Sequence, residues 1–182
     1  MARIVLVTGG CRSGKSSYAL VLGQALGAKR GFIATCQVTD EEMHARIEAH
    51  RQARAKRGWQ TMEEPCDLAA LFRRCSDYDV LLVDCITVWI NNLMHFAALR
   101  GEELTEADIS QKCQEVLDVC AACSGTVIFV SNEVGLGIVP ENALARRYRD
   151  LVGRANQTLA ERAASVTLMV CGIPWRLKKE IK

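Results

Sequence analysis

The sequence predicts an α/β domain in which a mostly parallel sheet is covered by helices on both faces. Short β-branched apolar runs alternate with longer amphipathic segments, the pattern of strand–helix units around a parallel sheet. The runs are apolar throughout rather than alternating, as in strands buried on both faces. The length of 182 residues suits one domain, 1–182, and a 49% hydrophobic content supplies a core without metal or disulfide staples.

Strands are expected at Ile4–Thr8, Gly31–Thr35, Asp79–Asp84, Thr126–Ser131 and Val166–Cys171, with a weaker one near Trp59–Met62. A helix is expected from about Asp40 to Arg57. Thr39 and Glu42 have capping-box spacing, acidic residues fill the first turn, and Gly58 follows a basic last turn. Thr105-x-x-Asp108 opens another helix, running to about Cys123, and Pro140 stands where a first helical residue would start a helix through Ala163. Residues 176–182 read as a short basic tail.

Lys and Arg number 23 against 21 Asp and Glu, a net +2, which argues against a nucleic-acid partner; an anion must be held by local features. Nine cysteines show no disulfide framework. Most lie in apolar runs, where free thiols act as small hydrophobes, so a reducing cytoplasm is expected. Cys120-x-x-Cys123 lacks a second pair or a nearby histidine to complete a zinc site. The run Ile4–Val7 is too short for a signal core, and Asp84 splits the longest apolar stretch, so no membrane span is expected.

The strongest local signal is Gly9-Gly10-Cys11-Arg12-Ser13-Gly14-Lys15-Ser16, followed by Ser17. It fits G-x-x-x-x-G-K-[ST], directly after a predicted strand and at the start of a predicted helix, the context a phosphate-binding P-loop requires. Glycines let the backbone wrap a polyphosphate, Lys15 reaches the β and γ phosphates, and the Ser16 hydroxyl helps hold Mg²⁺. Val80-Leu81-Leu82-Val83-Asp84 supplies the acidic group that such a site needs at the end of a neighbouring strand, so Asp84 is the candidate Mg²⁺ partner; the alternative is a cap for the next helix.

Nucleotide binding leaves the reaction open. A guanine-reading switch motif is absent, and length and charge disfavour a nucleic-acid motor, which leaves a small-molecule kinase or transferase. On the 40–57 helix, Met43, Ile47, His50 and Arg54 follow a 3.6-residue spacing, placing His50 at the edge of the apolar face. A neutral imidazole can attack phosphorus, and Arg51 and Arg54 can hold an anion, although a partly buried structural histidine fits the same spacing.

The ordered blocks T-G-G-C-R-S-G-K-S at 8–16, I-A-T-C-Q at 33–37, D-E-E-M-H-A-R-I-E-A-H-R at 40–51, E-E-P at 63–65, L-L-V-D-C-I-T at 81–87 and N-E-V-G-L-G-I-V-P-E-N at 132–142 span nearly the whole chain. They resemble the bifunctional adenosylcobinamide kinase/adenosylcobinamide-phosphate guanylyltransferases. The resemblance implies a RecA-like P-loop fold, ATP and GTP as substrates with Mg²⁺, and adenosylcobinamide and its phosphate as partners. It also implies a homo-oligomer, a trimer in the family.

The implied chemistry is phosphorylation of the cobinamide hydroxyl, then transfer of GMP through a covalent guanylyl-histidine that maps onto His50. The resemblance further implies substrate or nucleotide roles for Arg51, Arg54, Glu63, Asn132, Glu133 and Gly135. The segment between His50 and Trp59 departs from the family pattern, which more often has a proline there and one residue fewer. The alternative is a monofunctional P-loop kinase of another small hydroxylated metabolite.

Overall fold

A computed structural model describes residues 2–36, 48, 51, 52, 54–75 and 77–179. In chain order the elements are β1 (Arg3–Gly9), α1 (Lys15–Leu26), β2 (Arg30–Ala34), β3 (Trp59–Glu63), α2 (Leu68–Arg73), β4 (Val80–Asp84), α3 (Ile86–Leu99), α4 (Glu106–Ala121), β5 (Thr126–Val130), α5 (Ala143–Arg162), β6 (Ser165–Val170) and β7 (Ile173–Lys178). All six expected strands are present, each bounded within one residue of its expectation.

The strands form one sheet in the order β3-β2-β4-β5-β1-β6-β7, parallel except for β7, which runs antiparallel to β6. Continuous apolar strands follow from burial on both faces. Leu6, Ile33, Leu81, Val83, Val127 and Phe129 pack beneath α2, α3, α4 and α5. Val5, Val7, Phe32, Val80, Leu82, Ile128 and Val130 pack beneath α1. The α1 helix lies close to the sheet because Ala19 and Gly23 face it one turn apart; a Cβ on Gly23 would stand 2.6 Å from the Trp59 ring.

The capping box at Thr105 forms as the spacing predicts: Asp108 N–H donates to Thr105 Oγ1 at 3.2 Å, and Thr105 N–H donates to Asp108 Oδ2 at 2.7 Å. The helix expected over 40–57 is helical at residues 48, 51, 52, 54 and 55 and closes through a turn into left-handed Gly58, φ +76°. Its capped start and His50 lie outside the described residues.

Three expectations are corrected. Pro140 does not open the last helix: α5 starts at Ala143, capped by the Asn142 side chain, which accepts from Ala145 N–H at 3.0 Å, while the Pro140 carbonyl accepts from Arg146 Nη1. Residues 176–178 are no tail but the end of β7. Cys171 and Gly172, with φ of 52° and 80°, make the two-residue turn that reverses the chain, and Cys-Gly lacks the usual Asn-Gly signature. Finally, burial is not the rule among the cysteines: Cys75, Cys113, Cys120 and Cys123 are buried, whereas Cys11, Cys36 and Cys171 are exposed.

All nine thiols are free. Burial pushes the Cys113 thiol up to about 12 and raises Cys120 as well, as expected of thiols serving as core residues. Among the described residues there is no group of three or more His, Cys, Asp or Glu side chains fit to hold a metal, and no helix long and apolar enough to cross a membrane.

Phe129 on β5 is fully buried, its ring centroid 6.2 Å from that of Phe72 on α2. Phe129→Ala should destabilise the fold by about 3–5 kcal/mol, read as a lower denaturation midpoint. A loss below about 1 kcal/mol would contradict this packing.

Candidate phosphate and transfer site

The site sits at the carboxyl ends of the strands, where parallel sheets with helices on both faces present their ligand crevices. Between β1 and α1 the chain turns through Gly9 (φ +148°), Arg12 (φ +55°) and Gly14 (φ +91°). A Cβ on Gly9 would lie 2.4 Å from the Met169 carbonyl oxygen, so only glycine fits there. The turn between β6 and β7 buttresses the loop, with Gly172 N–H donating to the Ser13 carbonyl at 3.0 Å.

Lys15 begins α1 and is 7% exposed. Its Nζ donates to the Gly10 carbonyl at 2.5 Å and stands 3.4 Å from Ser13 Oγ. Burial lowers its pKa, and the charges of Asp84, Cys85 and Cys11 work against that drop. Ser16 and Ser17 are exposed at the loop's outer rim, as are Gly10, Cys11 and Arg12.

Asp84 is not on the strand beside β1, as the sequence reading assumed: β5 lies between β1 and β4. The register nevertheless aligns Val7, Val130, Asp84, Ala34 and Glu63 in one row across five strands. Residues paired in this way point to the same face, and Val7 and Val130 pack on the α1 side. Asp84 and Glu63 therefore project to the face that carries α1. Two strand spacings, roughly 10 Å, separate the Asp84 strand from β1, and the Asp84 charge acts on Lys15, whose Nζ stays on the Gly10 carbonyl of its own loop.

Arg54 completes the charge cluster. Its guanidinium carbon lies 3.9 Å from the centroid of the Phe32 ring on β2, with Nε 3.5 Å from Thr61 Oγ1. Burial lowers its pKa, Asp84 and Glu63 raise it, and Arg51 lowers it. Arg51 itself is exposed, 3.9 Å from Glu48. Lys15, Arg54, Asp84 and Glu63, predicted from four separate stretches, are thus brought to one end of one face.

Beyond β5, Glu133 N–H donates to the Gly9 carbonyl at 2.9 Å, which ties the 132–142 loop to the phosphate loop. A Cβ on Gly135 would be 3.8 Å from Glu133 Oε1. Asn132 Nδ2 donates to Thr87 Oγ1 at 3.1 Å, Thr87 Oγ1 lies 2.9 Å from Cys85 Sγ, and Asn156 Nδ2 donates to the Asn132 carbonyl at 3.1 Å. Ser131 Oγ donates to Asn156 Oδ1 at 2.5 Å. The sequence reading missed Thr35, Thr87, Ser131 and Asn156. One signal was available: Thr35 and Ser131 are each the first polar residue after an apolar strand run, as Asp84 is at the end of its own.

A cavity of about 590 Å³ between α2, α3 and α4, walled by Pro65, Trp89, Phe96 and Lys112, includes none of these residues. The site is defined by the phosphate loop and the strand ends, not by that hollow.

The fold and the sequence have known counterparts. The flagellar accessory protein FlaH of Methanocaldococcus jannaschii superposes with a TM-score of 0.55 at 13% identity, covering 98% of this chain and 79% of that one. The RadB recombinase superposes with a TM-score of 0.51 at 18% identity over 91% and 73%. These likenesses establish a RecA-like P-loop fold.

The bifunctional adenosylcobalamin biosynthesis protein CobU of Escherichia coli is 40% identical over 186 residues, covering 96% of this chain and 99% of its own. CobP of Pseudomonas aeruginosa, with the same description, is 42% identical over 179 residues, covering 96% and 97%. The family profile described as cobinamide kinase / cobinamide phosphate guanyltransferase matches residues 5–177, and the chain belongs to that family.

Proposed function

We propose that the chain phosphorylates adenosylcobinamide with a nucleoside triphosphate and then transfers GMP from GTP to that phosphate, giving adenosylcobinamide-GDP. The observation that carries this reading is the convergence of Lys15, Asp84, Arg54 and Glu63 on one face at the carboxyl end of the sheet. Relatives about 40% identical along nearly their whole length, described as bifunctional, support both activities.

In the kinase step the triphosphate lies in the Gly9–Ser16 loop. Lys15 exchanges its contact with the Gly10 carbonyl for the β and γ oxygens, where its charge meets that developing in transfer. The Ser16 hydroxyl and the Asp84 carboxylate are hard oxygen donors, a set that suits Mg²⁺, which takes few protein ligands and completes its sphere with phosphate and water. When bound, Mg²⁺ neutralises phosphate charge.

For guanylyl transfer, a neutral His50 nitrogen attacks the α phosphorus of GTP. An N–P bond forms and the bond to the bridging oxygen breaks, releasing pyrophosphate. A phosphate oxygen of the cobinamide phosphate then displaces the imidazole. Arg51 and Arg54 follow His50 by one and four residues, and Arg54 is seated over Phe32 near Asp84, which supports an anionic substrate here. Asn132, Glu133 and Gly135 border the loop from the β5 side and orient substrate or nucleotide. Leu136, Ile138 and Val139 stand exposed beyond them, which fits a homo-oligomer. Nine free thiols and the use of ATP and GTP fit a reducing cytoplasm.

Lys15→Ala should lower phosphoryl transfer to cobinamide by about a hundredfold or more in a folded protein; unchanged turnover would remove the phosphate-loop assignment. With α-phosphate-labelled GTP and Mg²⁺, wild type should retain acid-labile, alkali-stable label after denaturation, discharged by cobinamide phosphate. His50→Ala should retain none. Absence of label on folded, nucleotide-binding wild type would leave a kinase alone.

A further inference from the structure

Thr35 directly follows β2 and is completely buried, and its N–H and hydroxyl are both engaged at the end of β4. Its backbone N–H donates to the Asp84 carbonyl at 3.3 Å. Its Oγ1 accepts from Cys85 N–H at 2.9 Å and donates to the Cys85 carbonyl at 2.8 Å. Three hydrogen bonds from one residue therefore fall on Asp84 and the residue after it. The hydroxyl makes two of them, accepting from an N–H and donating to a carbonyl at once, which serine reproduces and isosteric valine does not.

The grip is itself held in place. Asn92 on α3, 8% exposed, donates through Nδ2 to the Thr35 carbonyl at 2.8 Å and to the Pro65 carbonyl at 3.0 Å. Thr35 and Asn92 together connect β2, the segment after β3, the end of β4 and the helix that begins at Ile86. With no open surface, it acts on a ligand only through Asp84.

We infer that Thr35 is the positioning residue for the Asp84 carboxylate: its hydroxyl fixes the chain on the far side of Asp84 and so sets the direction in which that carboxylate meets Lys15 and a divalent cation. This rests on the reading above that Asp84 holds Mg²⁺. Groups that orient a metal-binding side chain commonly govern affinity for the metal although they never touch it.

The test uses Mn²⁺ as a paramagnetic stand-in for Mg²⁺, titrated into the full chain with bound nucleotide and read by electron paramagnetic resonance. Nucleotide affinity in EDTA and the thermal unfolding midpoint are measured beside it. Thr35→Val should weaken Mn²⁺ binding by about tenfold or more, with metal-free nucleotide affinity unchanged. Thr35→Ser should restore wild-type Mn²⁺ affinity. If Thr35→Val does not fold, Thr35→Ala, which leaves room for water, takes its place with the same expectation. Asp84→Asn separates the two claims. Wild-type Mn²⁺ affinity in folded Thr35→Val or Thr35→Ala, with binding lost in Asp84→Asn, would overturn the role of Thr35 alone. Wild-type affinity in Asp84→Asn would overturn the metal role of Asp84, and this inference with it.

Discussion

The structure depends on the pairing of six parallel strands whose backbone groups have no water to turn to. Buried N–H and carbonyl groups must find partners, so the strands lie in a fixed register, and a fixed register places residues in rows. One such row, Val7, Val130, Asp84, Ala34 and Glu63, crosses the sheet at its carboxyl end. Side chains in a row share a face. The phosphate loop and Asp84 therefore meet on the α1 side although β5 separates their strands, and the site is a consequence of sheet pairing before any contact among its side chains.

That end of the sheet holds charge where water is scarce. Lys15 and Arg54 are both pulled toward their neutral forms by burial and both held toward their charged forms by Asp84. Weak screening makes each charge more effective on an arriving anion.

Polar residues just past the strands and on α3 and α5 border this cluster. Thr35, Thr87, Ser131, Asn132 and Asn156 bond to one another or to the strand-end backbone. A buried network of this kind tolerates few alternative geometries, because any broken member leaves a desolvated donor or acceptor. The helical layer on the other face contributes to the same frame, since α3 begins two residues after Asp84 and supplies Thr87 and Asn92.

The strands, the phosphate loop and the capping box at Thr105 were legible in the sequence because each depends on residues close together in the chain: an apolar run, a glycine spacing, a hydroxyl three residues from a carboxylate. The helix after Asp84 was foreseen only as something Asp84 could cap, and its bounds, Ile86–Leu99, were hidden because it starts after Cys85 with no side-chain cap; β7 was hidden because an exposed edge strand needs only a partner, not an apolar pattern. The order β3-β2-β4-β5-β1-β6-β7, the row that unites Asp84 with Glu63, and the hydroxyl of Thr35 on Cys85 join residues far apart in the chain, 50 positions for Thr35 and Cys85 and more for β1 and β6. Local chemistry in the sequence named the parts of the site; only long-range strand pairing decided which of them face one another.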